Sequence, residues 1–544
     1  MRKAVYILLI ISTLPALNFA QSDEFTKQDT LRGSITPQRA WWDLTYYHLE
    51  VDVDPVEKFI SGTNTIHYRV LDSMQELQID LQPPLTIDQI TQDGDILEFL
   101  SDGNAHFISL KKKQKVGDLE EIVIAYSGNP REAAFPPWDG GFSWKEDNRG
   151  NPFIATSCQG IGASIWWPNK DHMYDEPDSL RISIGTPENL VGVGNGRLEQ
   201  VEEKDNKKIY HWVVRNPINN YGVNVNIGDY VNFSEKYEGE KGTLDLDYYV
   251  LRDNLNKAKD QFVQVPMMME AFEYWFGPYP FYEDSFKLVE VPYLGMEHQS
   301  SITYGNHYQN GYLGRDLSGS GWGMEFDFII VHEGGHEWFA NNITHKDTAD
   351  MWVHEGFTAY SENLYLDYHY GNKAAADYVI GTRANIKNDR PVIGMYGVNK
   401  SGSADMYYKG SNLLHTLRQL IEDDDLWRDI LRGLNSEFYH QTVTTKQVED
   451  YISKRTDKDL SAFFNQYLRT TDIPLLEYRI ENDSISYRYK KVVDGFDMPI
   501  RVLVNAQEKW LFPDMEWKTE VLESNISVFE IDRNFYIQYK ELKP

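Results

Sequence analysis

Residues 332–357 read HEGGHEWFANNITHKDTADMWVHEGF, and His332, His336 and Glu355 stand in it at a spacing that has a geometric reason. Side chains four apart on a helix project from one face, one turn apart, so the two imidazoles can converge on one ion. Glu355, nineteen positions after His336, can complete the set from a following helix. Two His and one Glu leave a tetrahedral zinc with one open position, which separates a catalytic site from a closed structural one. Water bound there has its pKa drawn toward neutrality, and Glu333, beside the first His, is placed to act on it as general base. With 14 His in the chain, an HExxH match arises by chance in roughly 0.03 of such sequences, so the stretch is read as chemistry. Gly334 and Gly335 each cost such a helix about 1 kcal/mol relative to Ala, and are expected to admit close approach of a neighbouring element or of substrate.

At 544 residues the chain is too long for one core, and three or four domains are expected. Residues 1–20 read as a secretory signal: Arg2 and Lys3 supply the charge, residues 4–17 the apolar stretch, and Ala20 the cleavage residue. No Cys follows the apolar stretch, so no lipoprotein anchor is expected, and no other run approaches the ~20 apolar residues that span a bilayer. The expected product is exported, periplasmic or secreted, with no membrane span. Cys158 is the only cysteine, which excludes an internal disulfide and suits a small buried hydrophobe. A net charge of −30 repels phosphate backbones and argues against nucleic acid as a partner. The basic run at residues 111–113 reads as a solvated turn or strand edge. Oligomeric state leaves no mark in the sequence.

Outward from the metal-ligand stretch, the texture divides the chain in three. From about residue 40 to 240 the pattern has period two: Tyr47, Leu49, Val51 and Val53, then Ile66, Tyr68 and Val70, then Ile122, Ile124 and Tyr126. Turn signals such as Asp93-Gly94 and Asp102-Gly103 separate the runs. Residues 254–276 and 325–341 are long and helix-compatible, Leu413, Leu414, Leu417, Leu420 and Ile421 follow helical spacing, and Thr444 with Gln447 predicts a capping box. After Pro474 the period returns to two, through Leu476, Tyr478 and Ile480. The fold class expected is multidomain α+β, with a β domain at 21–240, a mostly helical zinc domain at 241–472 and a small β-sandwich at 473–544.

Upstream lies VPYLGMEHQSSITYGN, and downstream MYYKGSNLL. With HEGGHEWFANNIT, HEGF, LGMEH and YYKG in this order, the chain resembles the M1 family of zinc aminopeptidases, the gluzincins of aminopeptidase N and leukotriene A4 hydrolase type. The resemblance covers essentially the whole exported chain. It implies a saddle-like N-terminal β domain, a thermolysin-like catalytic domain and one zinc ion per chain. It also implies roles. Glu297, in the counterpart of the G-A-M-E-N-like edge motif with Gly295 and Met296, binds the free α-amino group of a peptide. Gln159, in CQGIGASIWWPNKD, helps to hold that amine. Tyr407, the first tyrosine of YYKG, donates to the developing oxyanion, and Glu362, two helical turns beyond Glu355, orients a His ligand. Leu294 replaces the family's leading Gly and His298 its Asn, which bears on the shape of the first subsite. His354 replaces the usual Asn before the ligand Glu and is not read as a ligand. The large C-terminal helical domain of many members is expected to be absent, leaving the cleft less enclosed.

The resemblance thus implies removal of single residues from peptides with a free N-terminus. Three alternatives remain at this point: a thermolysin-like endopeptidase, an epoxide hydrolase as in one branch of the family, and a zinc-bearing peptide-binding protein without turnover. Glu297 argues against the first, and the joint presence of Glu333 and Tyr407 against the last.

Overall fold

The computed structural model describes residues 25–481, 483–522 and 526–543, so the expected signal at 1–20 lies outside the described residues. The first described element is a short helix, α1 (Lys27–Gly33). The period-two runs then become long strands, β1 (Trp42–Asp54), β2 (Phe59–Val70) and β3 (Leu119–Gly128). On β1, Tyr47, Leu49, Val51 and Val53 are buried while Glu50 and Asp54 face solvent. Among the described residues these strands lie in an eight-stranded sheet, antiparallel between β1 and β2 and parallel between β1 and Ser179–Pro187. A four-stranded sheet packs with it through a shared apolar core, and its strand β4 (Pro152–Ser157) leads straight to Gln159. Cys158 is fully buried there, as expected, and its thiol faces the Tyr221 carbonyl.

The boundary expected at 240/241 moves. The hairpin Tyr230–Gly239 with Gly242–Leu251 straddles it, and the second strand pairs in parallel with β5 (Phe286–Glu290), Leu246 opposite Phe286. Backbone hydrogen bonding therefore commits the whole hairpin to the catalytic unit, whose five-stranded sheet ends on the edge strand β6 (Gly295–Met296).

The helix expected over 254–276 is broken. Leu255–Gln261 ends at Phe262, and a separate helix, α2 (Gln264–Phe276), begins two residues later. Pro266 in the first turn of α2 explains the break, since a proline ring clashes with the carbonyl four residues back. The stretch 325–341 forms α3 (Phe328–Gly335), capped by Asp327, whose Oδ1 accepts from Ile329 N–H at 3.1 Å. A wide turn follows, with non-helical backbone at Phe339 and Ala340. Next come α4 (Trp352–Tyr370) and α5 (Tyr408–Ile421), the latter burying Leu413, Leu414 and Leu417 as its spacing predicted. The Thr444/Gln447 capping box is formed.

Gly334 and Gly335 now have their reason. A Cβ on Gly334 would lie 2.7 Å from Met268 Cε, and one on Gly335 would lie 2.4 Å from Ser361 Oγ. The glycine pair lets α2 and α4 close on either side of α3, which brings Glu355 to the two histidines.

From Leu475 the described strands form a four-stranded and a three-stranded sheet. They do not have a separate core: one apolar cluster runs from Leu244 on the hairpin through α2–α5 to Tyr536. Tyr467 donates to the Tyr536 carbonyl at 2.8 Å and Arg383 to that of Arg533 at 2.7 Å, tying the C-terminal part to the helices. The architecture is an N-terminal β-rich domain, a helical catalytic region and a C-terminal β-rich part. No helix among the described residues is long and apolar enough to cross a membrane.

Candidate active site

His332 projects from α3, His336 follows it with helical backbone angles, and Glu355 lies in the first turn of α4. Glu355 Oε2 is 3.8 Å from His332 Nε2 and 3.4 Å from His336 Nε2. Donors about 2.0–2.2 Å from a tetrahedral zinc lie roughly 3.3–3.6 Å from one another, so the separations suit that ion. Glu355 Oε2 is buried and has no hydrogen-bond partner, a costly state for a carboxylate oxygen unless a cation takes it. The donor set fits zinc.

The groups behind the ligands fix their tautomers. His332 Nδ1 lies 2.6 Å from Glu362 Oε1, and Tyr378 OH donates to the other oxygen of Glu362. His336 Nδ1 lies 3.1 Å from the Phe339 carbonyl, which the non-helical turn frees, and 3.0 Å from Thr358 Oγ1. A proton on each Nδ1 leaves each Nε2 with a lone pair for metal. Glu355, Thr358 and Glu362 follow one another at helical spacing, so one face of α4 supplies a candidate ligand and the two side chains that contact the histidine Nδ1 atoms. Replacing Glu362 by Gln is expected to weaken zinc binding about 10–100-fold, because it removes the anion that orients and polarises His332. Competition with a chromogenic chelator reads this directly, and unchanged affinity would refute the role.

Gly295 brings the edge strand against α3: a Cβ there would meet Ile329 Cγ2 at 2.7 Å. Just beyond it, Glu297 is buried, and its carboxylate, that of Glu333 and His336 have donor atoms within 4.8 Å of one another. Gln159, arriving from the N-terminal domain, donates through Nε2 to Glu297 Oε1 at 2.5 Å and to Glu355 Oε1 at 3.2 Å. Tyr221 OH donates to Glu297 Oε1 at 3.1 Å. Burial pushes the Glu333 carboxyl up to about 7, opposed by His332. Burial also raises Glu297, with His336 opposing and Glu355 adding to the rise. Burial alone would raise Glu355, but His336 and His332 hold it below the usual carboxylate range.

Tyr407 stands at the start of α5 with its ring nearly parallel to that of His332, centroids 6.0 Å apart. Burial, reinforced by Glu355 and Glu297, raises its phenol well above the ordinary value and keeps it a proton donor. His354 is turned away, its Nε2 accepting from His345 N–H at 2.7 Å. His298 points at the Thr156 carbonyl, and burial takes its pKa down to about 3. A cleft of about 510 Å³ connects Gln159, Met296, Glu297, Glu333, Glu355 and Tyr407. His332, His336, Glu355, Glu333, Glu297, Gln159 and Tyr407, singled out in the sequence, line this one cleft, and Glu362 stands behind His332. The sequence reading missed Thr358, which its spacing from Glu355 could have shown, and Tyr221 and Tyr378, for which no local signal exists. It also missed Trp138 and Phe328 in the cleft wall.

The description "Peptidase family M1 domain" matches residues 262–467, and "Peptidase M1 N-terminal domain" matches residues 44–221. Probable aminopeptidase 1 of Sulfurisphaera tokodaii is 19% identical over 78% of this chain and 56% of its own length. Leukotriene A-4 hydrolase of Xenopus laevis is 22% identical over 76% and 68%, and aminopeptidase N of Lactobacillus helveticus 23% over 80% and 52%. The chain therefore spans a little over half the length of most of these relatives. A crystal structure of an M1 zinc metallopeptidase from Deinococcus radiodurans, bound to a Tyr-Ser-Ala substrate, shares the fold. Its TM-score is 0.67 at 18% identity, covering 81% of this chain and 98% of that one. With M1 descriptions matched in both the β-rich domain and the helical domain that carries the ligand set, this chain belongs to peptidase family M1.

Proposed function

We propose that the chain is an exported zinc aminopeptidase that removes single residues from the N-termini of peptides. The observation that carries this reading is a charge imbalance. Glu297, Glu333, Glu355 and Glu362 are all buried around one point, and among the described residues no Lys or Arg forms an ion pair with any of them. Buried carboxylates need cations. A zinc ion satisfies the Glu355 end, and a substrate α-ammonium satisfies Glu297.

When bound, zinc supplies Lewis acidity, polarising a carbonyl and acidifying a coordinated water. Glu333, with a pKa pushed up to about 7, suits a base that takes a proton near neutrality and later delivers it to the leaving amine. Tyr407, neutral and buried, donates to the oxyanion that develops at the scissile carbon. Glu297 and Gln159 hold the ammonium, which fixes the first peptide bond, and not a later one, as the bond presented. Export rests on the signal read at residues 1–20, and N-terminal sequencing of the protein recovered outside the cytoplasm tests it.

The decisive experiment acts on the amine. Acetylating a peptide's N-terminus removes its charge and should lower kcat/KM by about 10²–10³-fold, since breaking one side of a buried charged pair costs roughly 3–5 kcal/mol. Glu297→Ala should produce a similar loss on free peptides and little further loss on acetylated ones, because both changes delete one interaction. Mass spectrometry should show stepwise shortening from the N-terminus. Internal cleavage of the acetylated peptide at a comparable rate would make this an endopeptidase.

A further inference from the structure

Gln159 sits on a turn that has little stiffness of its own. Residues 158–162 run Cys-Gln-Gly-Ile-Gly, with Gly160 at φ +76° and Gly162 at φ +96°. Gly162 N–H closes on the Cys158 carbonyl at 2.8 Å. Two glycines in the left-handed region make such a turn easy to form and easy to displace. In this fold it is gripped from two directions.

On one side stands α1. Arg32 forms an ion pair with Asp171, whose Oδ2 also accepts from Ser164 N–H at 3.0 Å. The guanidinium covers the turn so closely that a Cβ on Gly162 would lie 1.8 Å from Arg32 Nη2. The helix is itself anchored: buried Arg39 donates to the carbonyls of Leu31 at 2.8 Å, Arg32 at 3.2 Å and Ser34 at 2.8 Å, satisfying groups that a helix end leaves unpaired. On the other side, from the catalytic unit, Asn399 Nδ2 donates to the Gly160 carbonyl at 2.9 Å, while its Oδ1 accepts from Thr348 Oγ1 at 2.8 Å. The two grips touch, since a Cβ on Gly33 would lie 2.0 Å from Asn399 N.

We propose that Arg32 and Asn399 are positioning residues for the substrate amine, clamping the 158–162 turn so that the Gln159 amide reaches Glu297 across the domain junction. The proposal rests on the reading of Gln159 and Glu297 as the amine site and goes beyond it. It makes α1, which follows shortly after the expected signal sequence, part of the substrate-binding machinery. The mechanism is geometric. Gln159 Nε2 spans two carboxylates, at 2.5 and 3.2 Å, and a shift of about 1 Å in its turn forfeits that geometry. Ground-state and transition-state binding of the ammonium weaken together, so the loss falls on KM and not on kcat.

The test uses the zinc-loaded full chain and an aminoacyl-arylamide. Arg32→Gln and Asn399→Ala are each expected to raise KM about 3–10-fold, the effect of one hydrogen bond, with kcat within about two-fold. Arg32→Lys, which keeps the charge facing Asp171, should recover most of the loss. In a Gln159→Ala background neither substitution should raise KM further, because both act through that side chain. A merely structural role would lower the thermal midpoint while leaving KM alone, or would act equally with and without Gln159. Should Arg32→Gln fail to fold because Asp171 loses its partner, Asn399→Ala carries the test, since it removes only two hydrogen bonds, to the Gly160 carbonyl and from Thr348 Oγ1, and no charge. If Gln159→Ala raises KM but the two clamp variants do not, this proposal is overturned and the amine-site reading stands. If Gln159→Ala leaves KM unchanged, Gln159 has no amine role and both fall.

Discussion

Glu333→Gln is expected to lower kcat by about 10²–10⁴-fold while leaving the zinc content and KM nearly unchanged. The magnitude is what a positioned general base contributes. Glutamine preserves the shape of the side chain and removes only its capacity to accept a proton. Zinc should stay because the candidate ligand set is His332, His336 and Glu355, whose donor atoms converge without Glu333. KM should hold because Glu297 and Gln159, not Glu333, are proposed to carry the ammonium. Stopped-time product analysis with elemental analysis of the same preparation separates the outcomes. Near-normal turnover in zinc-replete protein would mean that another residue is the base, and loss of zinc would mean that Glu333 belongs to the metal site.

Removing zinc should abolish peptidase activity, and adding it back to the chelated protein should restore activity in proportion to the metal bound. The fold should survive the loss. The apolar cluster around α2–α5 is continuous without the site, so its burial does not depend on the ion. The thermal midpoint should nevertheless fall. Zinc binds only the folded arrangement, and its removal leaves Glu355 Oε2 without a partner beside Glu297 and Glu333. Circular dichroism and calorimetry on metal-free and reconstituted protein measure both effects. Full activity in protein shown to be metal-free would sink the metal assignment.

What the sequence determined by itself is what depends on local spacing. The i, i+4 relation of His332 and His336 is a property of any helix, the period-two runs from Tyr47 to Tyr126 are a property of any half-buried strand, and the Thr444/Gln447 cap is satisfied within three residues. Glu362 was indicated by the resemblance to the M1 family, and it lies two turns along the same helix from Glu355. Where a local rule competes with another, the pattern misleads: Pro266 breaks the helix expected over 254–276, and the hairpin Tyr230–Leu251 crosses the expected boundary because a strand's partner is chosen by the sheet. Tertiary structure alone decided the rest. Gln159 and Glu297 are 138 positions apart and meet only because β4 of one domain ends opposite the edge strand of the next. Tyr221 and Tyr378 joined the site, and Arg32 and Asn399 came to grip one turn, for the same reason. Packing brings such groups together from distant parts of the chain, and no periodicity records which distant partner a side chain will find.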